Sequence, residues 1–232
     1  MIFSNFEFSP MLMKLSLFNN YNYCQMRKSI SRILVFTFAI FISGCAASYT
    51  PINPAFLHYN SHDTSNGIEL SYKYDVLRER GNSKYAKKED KKGVKLVAIK
   101  MTNTTDEVIN VNEEVVFYAD QNQIFPMEPM ATKESLKQIV PGYLPYLLLT
   151  FTSLTIYTGS SATTYPTGLL LGPGITIGNM AVAGTANQNM LYELYEYNIL
   201  NKVIASGETV YGIIGVRDIG FSPISAKVKK HN

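Results

Sequence analysis

The stretch "TGLLLGPGITIGNMAVAG", Thr167–Gly184, holds five glycines and a proline and not one charged side chain. It is the second limb of a longer anomaly. Lys137 is the last charge before Glu193, so residues 138–192 are 55 positions without Asp, Glu, Lys, Arg or His. The chain as a whole is 17% charged, and about nine charges would ordinarily fall in such a run. The first limb is "YLPYLLLTFTSLTIYT", Tyr143–Thr158, and "GSSATTYPT", Gly159–Thr167, joins the two as a polar turn. At a rise of about 1.5 Å per residue, helical limbs of this size would measure roughly 24–29 Å, close to the hydrocarbon core of a bilayer at about 30 Å. Tyr143, Tyr146 and Tyr157 flank the first limb, and Tyr165 and Tyr192 the second, as an interfacial aromatic belt would.

Gly168, Gly172, Gly174 and Gly178 form two small-xxx-small pairs that suit close helix packing. They are the candidate interaction residues. Pro173 stands between the pairs, so the expected helix starts near Pro173, with proline in its first turn. Thr150, Thr152, Ser153, Thr155 and Thr158 dilute the first limb, and Asn179 with the glycines dilutes the second, so neither inserts strongly alone. A paired helical insert is the leading reading, packed on the domain or dipping into a membrane. "LTFTSLTIYT" also fits a strand, which keeps open a β-hairpin that contributes to an oligomeric pore. After the insert, "NQNMLYELYEYNILNK" (Asn187–Lys202) is ordinary amphipathic helix. Leu191, Leu194, Tyr195 and Asn198 share one face, with Glu193 and Glu196 beside it.

Around the insert the period changes to two. Ile68, Leu70, Tyr72, Tyr74 and Val76 alternate with Glu69, Ser71, Lys73 and Asp75, a half-buried strand. "VKLVAIKMTN" (94–103), Val108–Val111, "EVVFYA" (114–119), "IFPM" (124–127, with Pro126 suggesting a sheet edge), "ETVYGIIGVR" (208–217) and "SPISAKV" (222–228) complete seven strand candidates. "DQNQ" (120–123) is a tight turn, Arg217–Phe221 a hairpin connection, and "RERGNSKYAKKEDKKG" (78–93) a charged, solvated loop. The 99 residues of 67–137 and 203–230 suit a discontinuous sandwich interrupted at 138–202. This strand–turn–strand rhythm resembles small immunoglobulin-like modules of secreted bacterial proteins. The expected fold class is therefore mainly β, an immunoglobulin-like β-sandwich interrupted by an apolar, Gly-rich helical hairpin.

The front of the chain carries an address. "MRKSISR" (26–32) is a basic n-region, "ILVFTFAIFIS" (33–43) an apolar h-region too short for a comfortable span, and "ISGC" (Ile42–Cys45) ends it. These residues resemble the signal peptide and lipobox of bacterial lipoproteins. The resemblance covers about twenty residues and implies diacylation of Cys45 on sulfur and cleavage before it, with the new amino group a further point of acylation. Two or three acyl chains anchor stably, at roughly 0.8 kcal/mol per buried CH₂. The alternative is an uncleaved signal anchor with a chance cysteine. Ala46 is not the aspartate that favours inner-membrane retention in enterobacterial lipoproteins, so the resemblance implies the outer membrane, facing the periplasm. Translation is expected to start at Met26, with residues 1–25 as extra sequence.

Charge and chemistry narrow the function. Setting aside Lys14, Arg27, Lys28, Arg32 and Glu7 leaves 17 bases and 17 acids after Cys45, which gives no support to nucleic-acid binding. Cys24 lies in the leader, so the mature part has only Cys45 and no disulfide. "AASYTPINPAFLHYNSHDTSN" (46–66) is proline-bounded and Asn/Ser-rich, a tether between lipid and domain. His58, His62 and Asp63 have metal-like spacing, but in such a segment they are a solvated linker, and no metal site is expected. "GPGITIG" lacks the lysine and the βαβ context of a phosphate loop. No Gly-x-Ser-x-Gly elbow occurs. The paired acids Asp106-Glu107 and Glu113-Glu114 sit at strand ends and turns. The lysines at 84, 87, 88, 91, 92 and 95 form a solvated cluster, with an anionic partner as the minor reading. No cofactor is expected. The expected function is a non-enzymatic binding or assembly module of the cell envelope. The membrane contact is made by lipid on Cys45, and a homo-oligomer or envelope partner is met through 138–192. A hydrolase using loop carboxylates and a subunit of an oligomeric pore are the alternatives.

Overall fold

The structure, a computed structural model, describes residues 45–65 and 67–229. The expected extra sequence at 1–25 and signal peptide at 26–44 lie outside the described residues. The chain divides into two units, Met1–Cys45 and Ala46–Asn232, and the second carries the fold.

Strands β1 (Ser61–Ser65) and β2 (Ile68–Lys73) pair antiparallel. After a short turn of helix at Val76–Glu79, helix α1 (Ser83–Lys92) leads into β3 (Val94–Asn103). Then come β4 (Ile109–Asn110), a helical turn at Val111–Glu114, β5 (Val115–Ala119) and β6 (Asn122–Ile124). Helix α2 (Pro129–Leu136) is followed by a 3₁₀ helix, Val140–Phe151, and the hairpin β7 (Leu154–Thr158) and β8 (Ser161–Tyr165). Helix α3 (Gly168–Glu196) returns to β9 (Val203–Ile204), β10 (Thr209–Arg217) and β11 (Ile224–Val228). The larger sheet has the order β1-β2-β3-β10 and the smaller β11-β5-β6, with β4-β9 and β7-β8 as separate pairs.

Strand β3 organises the molecule because it is apolar on both sides. Successive side chains of a strand point to opposite faces. Val97, Ile99 and Met101 join Leu70 and Tyr72, and meet Val115, Phe117, Ile224 and Ala226 of the small sheet in one core. Val94, Leu96 and Ala98 face the other way, onto Tyr85 of α1, Leu136 of α2, and Ala186, Met190 and Leu194 of α3. Each such fully buried side chain contributes roughly 1.5–3 kcal/mol. The result is three layers: small sheet, large sheet, helices. About 40% of the described residues are helical and 32% are in strands. The fold is thus mixed rather than mainly β. Antiparallel sheets are present as expected, but they do not form a clear immunoglobulin-like sandwich, because helices occupy the outer face of the larger one.

Several expectations change. The charged segment 78–93 is largely helical. Tyr85, Ala86 and Glu89 are buried on one side of α1, and Gly93, at φ 62°, caps its end. The lysine density masked that periodicity. Arg217–Phe221 is no hairpin, because β10 and β11 belong to different sheets; it is a crossover. Of the expected tether 46–66, residues 46–65 are docked rather than extended: Ile52 is fully buried, Tyr49 nearly so, and 61–65 form β1. The open edge of β10 is closed by two passing segments. The Met127 N–H donates to the Gly215 carbonyl (2.7 Å) and the Ile213 N–H to the Tyr197 carbonyl (2.8 Å). A Cβ on Gly212 would lie 2.7 Å from Ile199, and one on Gly215 2.4 Å from Thr132, so only glycine admits this approach.

Candidate functional site

The 55-residue charge-free segment pairs a 3₁₀ helix with a long α-helix, joined by a β-hairpin, and its exposed part forms an arm. Its first limb is split. Val140–Phe151 is 3₁₀ helix, and the remainder is β7. Pro145 lacks the N–H that an α-helix would use there, and Leu154–Thr158 is rich in β-branched and aromatic residues that favour a strand. The expected polar turn at 159–167 contains β8, and only Gly159, at φ 61°, and Ser160 turn the chain. The second limb does not begin at Pro173. One helix, α3, runs 29 residues from Gly168 to Glu196 and absorbs most of the expected amphipathic helix. Proline disfavours the helical conformation of the residue before it through a clash with that residue's Cβ. Here that residue is Gly172, which has none.

The four candidate glycines separate into two pairs. Gly168, Gly172 and Thr176 are buried along one stripe of α3. A Cβ on Gly168 would lie 2.2 Å from the Leu149 carbonyl, and one on Gly172 2.3 Å from the Thr150 hydroxyl. The first pair therefore seats the 3₁₀ helix within the chain. Gly174 and Gly178 have nothing within 4 Å of an added Cβ and lie on the open side. Around them Leu170 is 83% exposed and Ile177 66%; across the arm, Leu148 is 70% and Phe151 86% exposed. The hairpin β7–β8 is exposed at nearly every position. Among the described residues α3 is the one helix long and apolar enough to cross a membrane by length and composition, with only 22% of that window buried.

The other half of α3 holds a polar latch. Asn187, on the face that also buries Ala183, Ala186 and Met190, accepts from the Gln138 N–H (2.8 Å) and the Tyr85 hydroxyl (3.1 Å) and donates to the Gln138 carbonyl (2.9 Å). The Gln138 amide donates to the Ala47 carbonyl (2.6 Å) and accepts from the Ala47 N–H (3.1 Å). Buried Glu193 accepts from the Tyr49 hydroxyl (2.5 Å) and the Asn53 N–H (2.8 Å). Burial, then the nearby carboxylate, pushes the Tyr49 phenol well above its ordinary range. Farther along α3, Asn179 accepts from the Ala46 N–H at 2.6 Å. The N-terminal segment is thus pinned along α3, and Ala46, one peptide bond after Cys45, is fixed at the root of the arm. Cys45 itself is exposed. Sequence reading missed this latch. Its signal was polar residues on an otherwise apolar helical stripe, which a buried stripe admits only with partners.

Lysines rim the same root. Lys84 Nζ donates to the Tyr143 hydroxyl (3.3 Å) and lies 5.5 Å from the ring centroid. Lys88 donates to the Lys137 carbonyl, and its ammonium is pushed below its ordinary value by burial and by Lys92, Lys91 and Lys137. Lys133 and Lys137 border a cleft of about 340 Å³ that Gln138, Pro141, Gly184 and Asn187 also line. Glu134, bonded to both of these lysines, is held at about 2 by them.

Elsewhere the titratable groups are dispersed. Among the described residues no three His, Cys, Asp or Glu side chains are grouped to hold a metal. His62 and Asp63 lie on β1 and His58 in the loop before it. Asp63 Oδ2 is buried without a hydrogen-bond partner. Asp106 and Glu107 are exposed, and Glu114 caps the Asn110 N–H at 2.6 Å. Glu89 is the one strongly raised carboxyl among the described residues. Burial lifts it to about 7 against the Leu96 N–H, which donates to it (2.7 Å), and Lys95. It sits on the buried side of α1 and does not line the cleft at Lys133 and Lys137.

Compared with family models, with curated proteins and with solved structures, the chain matches none of them.

Proposed function

We propose that this chain is a lipid-anchored cell-envelope protein, placed at the outer membrane and facing the periplasm, that acts as a non-enzymatic binding and assembly module. Its anchor is lipid on Cys45, and its contact surface is the exposed apolar arm. The observation that carries this reading is the bond from the Ala46 N–H to Asn179. It roots the residue next to the lipobox cysteine on the one helix whose far half is apolar on every side. A helix of that kind is ordinarily covered. The dispersed acids favour a contact module over a hydrolase. The hairpin strands of five residues extend only about 17 Å, well below the 9–11 residues a membrane strand needs, which weighs against a β-lined pore.

The test is labelling with a clickable fatty acid in a bacterial host, read with the mass of the native protein. Label on the wild type, none on Cys45→Ser, and a mature chain that begins at Cys45 are expected. An unlabelled protein that retains residues before Cys45 refutes the anchor.

A further inference from the structure

We infer that the arm's occupant is the anionic surface of a lipid bilayer, along which the arm lies within one leaflet. This rests on the anchor reading above. The chain upstream of the fold ends at Cys45. Lipid on Cys45 would sit one peptide bond before Ala46, and "ILVFTFAIFIS" (33–43), were it to stay attached, would end three before it. Ala46 is held by Asn179, so the bilayer surface lies within a residue or two of that point on α3. From Asn179 to Gly168 the helix runs about 16 Å without a charge, and the 3₁₀ helix against it has none either. Beyond Asn179 in the other direction the exposed face turns mixed: Val182, Tyr192 and Tyr195 share it with Thr185, Gln188, Asn189 and Glu196.

Charge complements this placement. Lys84, Lys88, Lys133 and Lys137 gather where the 3₁₀ helix leaves the domain, and Glu134 pairs with the last two. A basic rim at the foot of an apolar arm suits anionic headgroups, whose potential acts over about a Debye length. The hairpin then sets the depth. Among the described residues the outer edges of β7 and β8 pair with no other strand, and unpaired backbone is not tolerated in hydrocarbon. Those edges stay where water reaches, so the arm lies in the plane of the interface, as monotopic helices do.

The sequence has no tryptophan, which makes a direct test available. Leu170→Trp places a probe on the arm's open face, and Tyr192→Trp places one on the same side of α3 beyond the root; both parent side chains are well exposed. The full lipidated chain is reconstituted in vesicles of phosphatidylethanolamine with phosphatidylglycerol, and in phosphatidylcholine alone, with brominated lipids as quenchers. Both variants should float with the vesicles. Trp at 170 should emit to the blue and lose most of its intensity to bromines near the glycerol end, more so with phosphatidylglycerol. Trp at 192 should stay red-emitting and unquenched. A red, unquenched Trp at 170 overturns the inference. A blue but unquenched one means that a second copy or another protein covers the arm, and overturns it too. Strongest quenching by the deepest bromines overturns the in-plane placement, and equal quenching in both vesicle types overturns the anionic preference. Failure to float is a separate result, which removes the anchor and the inference with it.

Discussion

Tyr49→Phe tests whether residues 46–60 are a docked strap or a loose tether. The substitution removes one oxygen and the bond to Glu193 Oε2, 2.5 Å in the native fold. The ring keeps its edge contact with Tyr85 at 5.5 Å between centroids, so packing is spared. What is lost is a hydrogen bond to a buried carboxylate, worth about 1.5–3 kcal/mol. Glu193 keeps one partner here, the Asn53 N–H at 2.8 Å, and that amide reports on the strap. If the strap opens as a local unit, the same free energy appears in its opening equilibrium. Amide exchange at Asn53 should then quicken by roughly 10–150-fold, at one factor of ten per 1.4 kcal/mol. Amides of β3 at Val97 and Ile99 belong to the central core and should exchange at the native rate. Hydrogen-exchange mass spectrometry or NMR reads both. Unchanged exchange at Asn53, or a matching acceleration in β3, would show that this bond does not hold the strap as a separable element.

Asn187→Ala should cost about 1–3 kcal/mol in denaturant unfolding, because it strips partners from Tyr85 and both backbone groups of Gln138; a neutral result would mean that water replaces the amide. Gly172→Leu should lift the 3₁₀ helix from α3, since even its Cβ would lie 2.3 Å from Thr150 Oγ1. Limited proteolysis should then cut between 143 and 165 while the two-sheet core stays resistant. Glu89→Gln should remove a pH dependence. The native carboxyl titrates at about 7 against 4.5 for the free group, so the wild type is most stable below about 4.5 and loses up to roughly 3 kcal/mol as pH rises through 7. The variant should match it at pH near 4 and exceed it at pH near 8; a constant difference across that range argues against the raised carboxyl. Leu170→Asp with Ile177→Asp should leave thermal unfolding unchanged, because both side chains are exposed, and should abolish contact by the arm, read as loss of vesicle quenching or of partner cross-links.

Alternation made β2 legible, because a half-buried strand imposes period two on its own side chains, and β3, β5 and β10 were legible as short runs rich in β-branched and aromatic residues. It could not show that β3 is covered on both faces, since a run such as Val94–Met101 fits a buried strand in many architectures. Helix α1 was hidden because Tyr85, Ala86 and Glu89 are its only buried positions, set among five lysines. The limb at Gly168 was misjudged from Pro173, a sound local rule that Gly172 relaxes. The strap was hidden because Tyr49 and Ile52 sit among prolines, asparagines and serines that signal solvent in most contexts.

By itself the sequence determined the local backbone of the main strands and the charge-free character of 138–192, both of which depend on neighbours within a few residues. The tertiary structure decided the rest. Which glycines pack inward, that the N-terminal segment lies along α3, and that its first residue roots at Asn179 depend on partners 133 to 144 positions away. No local period records such pairs. They form only when strand pairing and core burial have brought these distant segments together, and they place the apolar arm beside Ala46, the residue that follows Cys45.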